Sequence, residues 1–328
     1  MRDLARRPEN DRRELFRATA QAMRIHEAII EKDFWVCWTL DYLFQDSPWK
    51  DRMAFKGGTS LSKVYGAIER FSEDIDLILD WRLLGYSEDE PWQERSPTKQ
   101  DAFGKQANQR AAEFLAHEFV PALARDLKAR IDTGIEVAVQ GQVVLIPYPR
   151  AFSLEAINPQ IRLEIGPLAA WVPNEQKPIR PYAAEQFPKE FTIPGTTVRT
   201  IAVERTFWEK ATILHQEAHR GPDRPLPPRY SRHYYDVYRL SLLPLRMMRS
   251  PRSTYCTKSC GLRCAFTARL GLNTKRQSPA AFDCCRRHTT SLNWGGTTRR
   301  CRRCSLVRCQ HSTRSSPGLP PWKYQSIT

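Results

Sequence analysis

The segment SEDID, residues 72–76, places Asp74 and Asp76 two residues apart in a run that continues as the apolar LIL. Alternate residues of a β-strand share a face, so the two carboxylates would lie side by side, opposite Ile75 and Leu77. Two such charges repel each other unless a cation compensates, and Mg²⁺ binds one or two carboxylates together with phosphate oxygens. The spacing predicts a divalent-cation site, although a D-x-D alone is also typical of a solvated sheet face.

A glycine turn precedes these acids. The segment RMAF, residues 52–55, predicts a short strand, and Gly57-Gly58 follows it directly before a predicted helix. Glycines let a phosphate approach the backbone, and free N–H groups at a helix start favour anions. The candidate nucleotide-binding residues here are Gly57, Gly58, Thr59 and Ser60, with Thr59 or Ser60 as the N-cap, together with Lys63 and, beside the acids, Ser72. An ordinary helix start would show the same pattern without binding anything.

Further candidates lie downstream. In QIRLEIG, Glu164 alternates with apolar residues on a strand that could pair beside the Asp74 strand, or it could simply be exposed. Lys210 borders the apolar stripe of a predicted helix, where it could hold a triphosphate or only snorkel to solvent. Arg232 and Asp236 stand one helical turn apart, which is typical of an ion pair or of the wall of a cleft.

The elements that must position these residues form an α+β pattern. The periodicity predicts helices over residues 10–24, 26–45, 99–131, 203–219 and 232–243, and strands at 52–55, at 74–80 and, three in number, between 134 and 166. Residues 81–98 are predicted to be a mobile loop, and the proline-rich residues 167–202 a connection. No apolar run is long enough to cross a membrane, so a cytoplasmic protein is expected.

In this order, FKGGTSLSK, RFSEDIDL, LEI, ERTFWEKATILH and RHYYDVYRL resemble the AbiEii/AbiGii-type nucleotidyltransferase toxins over roughly residues 20–245. That resemblance implies a DNA polymerase β-like nucleotidyltransferase core, with a small mixed sheet and flanking helices, followed by a helical C-terminal part. The implied domains are N-terminal helices at 1–50, the core at 51–170 and the helical part at 171–245.

The resemblance also implies a Mg²⁺-dependent toxin of a toxin–antitoxin or abortive phage infection system. It would transfer a nucleotide from an NTP to an acceptor, the 3′ end of tRNA in known relatives, and its partner would be a cognate antitoxin. Asp74 and Asp76 would be catalytic metal ligands, with Glu164 as the third acid of a site for two Mg²⁺ ions. Lys210 and Asp236 would also be catalytic, and Arg232 would bind the nucleotide. His233, Tyr234 and Tyr235 stand between Arg232 and Asp236, where the family usually has a lysine. Alternatives are a protein nucleotidylyltransferase and an inactive remnant damaged at its C-terminus.

Residues 246–328 have a different composition. They hold 17 of the 51 Lys and Arg residues but only one of the 36 acids, and eight of the nine cysteines. Three interpretations are a zinc module built on Cys301 and Cys304, a disordered basic arm for nucleic acid, and out-of-frame translation beginning near residues 245–255. The sudden loss of acids, and the absence of the family's further helices, favour the third. Because out-of-frame translation is the favoured interpretation, no function is assigned to this tail. The rest of the chain has a nearly neutral net charge.

Overall fold

The computed structural model describes residues 1–131, 136–168, 172–219, 221, 225 and 229–243. The helices are α1 (Arg2–Arg6), α2 (Glu9–Met23), α3 (Glu27–Asp41), α4 (Gly57–Lys63), α5 (Pro97–Phe114), α6 (Val120–Arg130), α7 (Tyr182–Gln186), α8 (Val203–Ala218) and α9 (Ser231–Ser241). The strands are β1 (Met53–Lys56), β2 (Ile75–Leu79), β3 (Ala138–Gln140), β4 (Val143–Pro147), β5 (Gln160–Gly166), β6 (Asn174–Ile179) and β7 (Thr196–Ile201). The tail from residue 246 lies outside the described residues.

All seven strands belong to one mixed sheet with the order β3-β4-β5-β2-β1-β7-β6. β2 runs antiparallel to β1 and parallel to β5, and β7 runs parallel to β1. The expected α+β fold, with a mixed sheet and flanking helices, is therefore confirmed. The pairing of β2 with β5 also confirms that the strand carrying Glu164 lies beside the strand carrying Asp76.

The main core lies between one face of the sheet and the N-terminal helices. α3 is apolar on nearly all sides, and its Phe34 and Trp35 are at most 1 % exposed. They pack in one cluster with Leu77 of β2 and Leu163 of β5, whose alternate residues face this way. A smaller cluster joins Leu61 of α4 to α8 and α9. The apolar alternation of the strands thus leaves their polar residues on the opposite face, where the candidate site lies.

Three local predictions differ from the structure. Helix α4 begins at Gly57 with Lys56 at the N-cap, so Thr59 and Ser60 lie inside the helix. The connection at 167–202 contains β6 and β7, so the sheet extends across the expected domain boundary at residue 170. The predicted loop at 81–98 contains two 3₁₀ turns, and Trp81 and Leu84 anchor it in the core.

Most predicted helices lie close to their expected bounds. The long helix predicted at 99–131 is α5 and α6 joined through a π-helical turn at Leu115–Phe119, and α3 continues in the same way through Tyr42–Asp46. Within the described residues, no helix is long and apolar enough to cross a membrane.

Candidate active site

Three acidic side chains meet where β2 and β5 run side by side. Asp76 of β2 is the register partner of Glu164 of β5, and Asp74 immediately precedes β2. Asp74 and Asp76 are half-buried, whereas the Glu164 side chain is 45 % exposed and forms an ion pair with Arg162 at 2.9 Å. The structure therefore brings together the three acids that the sequence singled out, with Glu164 at the outer edge of the group.

The Asp76 carboxylate lies directly against the backbone of Gly57. The φ of Gly57 is +80°, a conformation that favours glycine, and an added Cβ would lie 1.8 Å from Oδ2 of Asp76. Lys56, the register partner of Asp76 on β1, flanks the same carboxylate. The glycine is therefore required both by the backbone turn and by the close approach of the acid.

Thr59 and Ser60 do not offer their hydroxyl groups to a nucleotide. Thr59 is fully buried, donates to the backbone carbonyl of Asp74 at 2.5 Å, and has its Oγ1 3.0 Å from the Ser72 hydroxyl. Ser60 is also fully buried and donates to the carbonyl of Gly57 at 2.9 Å. Both residues thus correct the expectation of direct nucleotide contacts: they connect α4 to the acidic segment, and only Ser72 remains partly accessible.

Lys63 also corrects the sequence expectation. Its Nζ lies 2.8 Å from Oδ1 of Asp33 on α3, and 3.9 Å from the centre of the Tyr182 ring. It is six positions after Gly57 in the helix, and the helical rise of about 1.5 Å per residue carries it roughly 9 Å along the axis. Lys63 is therefore half of a buried ion pair that joins α4 to α3, and it is not beside the glycine turn.

Lys210 and Asp236 are joined directly. The Lys210 ammonium lies 2.8 Å from Oδ2 of Asp236, which is completely buried. The same carboxylate accepts two hydrogen bonds from Arg70, from Nε at 2.9 Å and from Nη2 at 2.8 Å. Burial alone would raise the pKa of Asp236, but Arg70 and Lys210 outweigh that effect and hold the pKa below its usual range. Asp236 is therefore a saturated, ionised anchor for two cations, and its predicted catalytic role stays a prediction.

Arg232 and His233 lie on α9 next to this anchor. Arg232 is half-buried and forms no ion pair with Asp236, which leaves the wall of a cleft as the remaining interpretation of the pair. Burial, with Arg229 and Arg70 nearby, lowers the pKa of Arg232. Burial and the Lys210 ammonium lower the pKa of His233 to about 4, so its imidazole is neutral at pH 7. Its Nδ1 is buried and has no hydrogen-bond partner in the part of the chain that the structure describes. This wall of the site therefore carries positive charge with little anionic compensation.

The acid group carries the opposite charge. Burial raises the pKa of Asp76 to about 6; Lys56 opposes the rise, and Glu164 and Asp74 add to it. Burial also raises the pKa of Asp74, and the carboxylates of Glu164 and Glu73 raise it further. The two aspartates thus form a concentration of negative charge that a bound cation would relieve.

The acids fit a hard divalent cation only in part. Carboxylate oxygens are the ligands that Mg²⁺ prefers, and Asp74 and Asp76 are held together by strand geometry and the backbone of Gly57. Within the described ranges, however, no three His, Cys, Asp or Glu side chains are arranged to enclose a metal ion. A cation here would take two protein carboxylates and complete its shell with water or phosphate oxygens, and Glu164 would have to turn from Arg162 to join it.

A cavity of about 390 Å³ opens beside Asp76 and Glu164. Its lining includes Lys56, Arg162 and an amide pair, Asn108 and Gln142, whose side chains are hydrogen-bonded at 3.0 Å. It lies on the Glu164 side of the acids. The site is therefore open next to the acids, with space for part of a substrate.

Sequence reasoning missed Arg70 and Lys56. Arg70 stands two residues before Ser72 and is the first residue of the segment RFSEDIDL, but its partner Asp236 is 166 residues away. Lys56 directly precedes the glycine turn, where antiparallel pairing of β1 with β2 places it beside Asp76. Strand pairing could have suggested Lys56, whereas no local signal pointed to Arg70.

Comparison with known proteins places this site in a family. A family profile described as "Nucleotidyl transferase AbiEii toxin, Type IV TA system" matches residues 38–249. No curated protein matches the chain. A solved structure of MenT4, a nucleotidyltransferase toxin from Mycobacterium tuberculosis H37Rv, is similar with 16 % identity over 79 % of this chain and 99 % of that chain, at a TM-score of 0.34.

The profile covers more than half of the chain and includes every candidate site residue, and it ends just where the composition changes. The basic, cysteine-rich tail lies beyond it. The chain therefore belongs to the AbiEii family of nucleotidyltransferase toxins of type IV toxin–antitoxin systems, and it is a nucleotidyltransferase.

Proposed function

We propose that this toxin uses Mg²⁺ to transfer a nucleotide from an NTP to the 3′ end of tRNA, with Asp74, Asp76 and Glu164 as the acidic residues of the reaction. The observation that carries the proposal is the register of β2 and β5, which sets Asp76 beside Glu164 next to the Gly57 turn. Paired carboxylates that repel each other, beside a wall of cations, are suited to a metal-bound polyphosphate.

In this reaction the acceptor 3′-hydroxyl oxygen forms a bond to the α-phosphorus, and the bond from that phosphorus to the pyrophosphate oxygen breaks. Asp74 and Asp76 would hold the Mg²⁺, which would supply charge stabilisation for the reacting phosphate when bound. Gly57 lets the Asp76 carboxylate lie against the backbone of the turn, and Ser72 borders Gly58. Lys210 and Arg232 contribute positive charge on the α9 side. These residues act mainly by positioning and by neutralising charge.

The cavity next to Glu164 offers space for an acceptor. Its lining includes none of Arg70, Lys210 and Asp236, so we propose that donor and acceptor use different parts of the site. The sequence outside the tail is nearly neutral, so we expect RNA to be held by local contacts there. From the family we further infer a cytoplasmic toxin that acts in phage defence and is restrained by a neighbouring antitoxin.

The test is transfer of label from each α-³²P-NTP to purified tRNA and, separately, to a protein pool. Asp76→Asn keeps the shape of the side chain and should abolish labelling of tRNA, because it removes half of the paired charge. Asp51→Asn, an exposed aspartate paired with Arg199, is the control and should label tRNA as the wild type does. Full labelling by a folded Asp76→Asn chain would refute the site, and labelling of protein alone would replace tRNA as the acceptor.

A further inference from the structure

Arg70 lies in the segment between α4 and β2, and both of its described hydrogen bonds go to Asp236 of α9. The two bonds are parallel and charge-assisted, and they engage Nε and Nη2. The Asp236 side chain is fully buried, whereas the Arg70 side chain is 21 % exposed. The guanidinium is thus fixed along one edge and accessible along another.

The cations around Asp236 outnumber its charge. Asp236 faces both Arg70 and Lys210, and Arg232 lies close enough to add to the positive field. The Arg232 side chain makes no hydrogen bond or ion pair with any residue that the structure describes, and the backbone N–H of Arg232 donates to the carbonyl of Arg229. One buried carboxylate therefore leaves a positive excess on this wall, which an anion could neutralise.

Arg70 also lies against the glycine turn. An ideal Cβ on Gly58 would be 2.9 Å from Nη2 of Arg70 and 2.8 Å from Oγ of Ser72. The guanidinium therefore occupies the space between α9 and the segment that leads to Asp74. Among the described residues its Nη1 has no hydrogen-bond partner, so it has donors to spare.

We propose that Arg70 binds the polyphosphate of the nucleotide donor, and that Asp236 is a positioning residue that fixes Arg70 and Lys210 for this contact. The inference rests on the proposed function, since it names a further substrate-binding residue for that reaction. A planar guanidinium held along one edge presents its remaining N–H groups in a fixed direction, which suits phosphate oxygens. The competing explanation is that Arg70 only neutralises a buried acid.

Binding of inorganic tripolyphosphate to the full chain distinguishes the two explanations. We would measure it by calorimetry at about 0.15 M salt, which screens interactions between solvent-exposed charges. Arg70→Gln should raise the Kd roughly tenfold or more, as expected for loss of charged hydrogen bonds, and Arg70→Lys should have a smaller effect. Tripolyphosphate binding by a folded Arg70→Gln chain at wild-type affinity would overturn the proposal.

Arg52→Gln is the matched control. Arg52 pairs with Asp80 at 3.0 Å, and Asp80 is buried and is shared with a second cation, Arg82, as Asp236 is shared with Lys210. The control therefore removes a similar ion pair away from the site, and its Kd should equal that of the wild type. An equal loss of affinity in Arg52→Gln would show a general charge effect and would also overturn the proposal.

Arg70→Gln leaves Asp236 with one cation fewer, so the variant could unfold. The double variant Arg70→Gln/Asp236→Asn removes both charges and provides a second test. If Asp236 acts through the cations it holds, Asp236→Asn alone should also weaken tripolyphosphate binding, and the double variant should lose less than the product of the two single losses. Wild-type affinity in a folded double variant would reject both roles.

This assay is independent of the acceptor. If tRNA is not labelled but tripolyphosphate binding still depends on Arg70, the acceptor proposal fails and the role of Arg70 stands. If labelling depends on Asp76 but neither tripolyphosphate binding nor the KM for NTP changes in Arg70→Gln, the role of Arg70 fails and the transfer reaction stands.

Discussion

At the scale of single residues, the closest constraint in the site is between Gly57 and Asp76. Gly57 has a positive φ, and a Cβ added to it would lie 1.8 Å from Oδ2 of Asp76. A positive φ costs roughly 1 kcal/mol for a non-glycine residue wherever it occurs. The clash of an added Cβ with Asp76 is local and would move a carboxylate that we propose binds metal. Backbone strain and this clash can therefore be separated by comparing two glycines.

We predict that Gly57→Ala abolishes nucleotide transfer, because the methyl group displaces Asp76. Gly66→Ala is the control, since Gly66 has a φ of +55° but an added Cβ meets nothing within 4 Å. Both variants should lose about 1–2 kcal/mol in urea denaturation through backbone strain. Equal transfer rates in the two variants would show that contact with Asp76 is unimportant.

The paired aspartates make a second residue-scale prediction. Asp74→Asn removes one of two neighbouring charges that repel each other. The free energy of unfolding of the metal-free chain should therefore be unchanged or higher by up to about 1 kcal/mol. Mg²⁺ should raise the Tm of the wild type but hardly that of Asp74→Asn, because fewer carboxylates remain to bind it. A similar Mg²⁺-dependent rise in both proteins would place the cation elsewhere.

Sequence patterns predicted the acid half of the site better than the cation half. Strand alternation and apolar neighbours were sufficient to place Asp76 and Glu164 on one sheet face, because both signals are local. Lys63 was assigned wrongly since proximity in sequence to Gly57 says little about direction six residues along a helix. Arg70 could not be predicted because its role depends on packing with Asp236, 166 residues away.

At the scale of elements, α4 is fixed at both ends in different ways. Its first turn is connected to the acidic segment through Thr59, and its last residue, Lys63, forms a buried ion pair with Asp33 of α3. Asp33 also accepts a hydrogen bond from the backbone of Tyr182 at the start of α7. The glycine turn is thereby held against the main core by charges as well as by apolar contacts.

We predict that Lys63→Met lowers the free energy of unfolding by about 3–5 kcal/mol, because it leaves the Asp33 carboxylate buried without its cation. The double variant Lys63→Met/Asp33→Leu should recover most of this loss. Lys105→Met, which removes a mostly exposed cation on α5, should change stability by less than about 0.5 kcal/mol. Urea denaturation measures all three, and similar losses in Lys63→Met and Lys105→Met would contradict the prediction.

The strands of the sheet differ in how well the sequence predicts them. β2, β4 and β5 were found because apolar residues alternate in them or fill them. β6 and β7, with the sequences NEQKPI and TTVRTI, are largely polar and lie in a proline-rich segment. The pairing of β7 with β1, and of β6 with β7, therefore had no local signal. Their strand state is decided by tertiary pairing, which overrides weak local preference.

At the scale of the whole molecule, charge and family membership divide the chain at the same place. The family match ends at residue 249, and the excess of Lys and Arg begins there. The candidate site belongs entirely to the nearly neutral part. The net charge of +15 therefore describes the tail and is not a property of the proposed substrate cleft.

We predict that a chain ending at residue 249 still transfers nucleotides to tRNA, because the site residues all lie before that point. Its general affinity for RNA should depend less steeply on salt, since the basic tail no longer displaces counterions. The measurement is the slope of log Kd against log salt for both lengths, together with the transfer rate. Loss of transfer in a folded shortened chain would assign the tail a role.

The bond from Arg70 to Asp236 has a further consequence for how the toxin is made. A ribosome completes the acids and the glycine turn early, but Asp236 follows Arg70 by 166 residues. During synthesis, a nascent chain therefore carries its proposed metal ligands long before Lys210 and Arg70 acquire their common anchor. On the proposed role of Arg70, the cations that bind the polyphosphate are in place only after α9 has emerged from the ribosome. The chain therefore becomes toxic only when synthesis of the family domain is nearly complete.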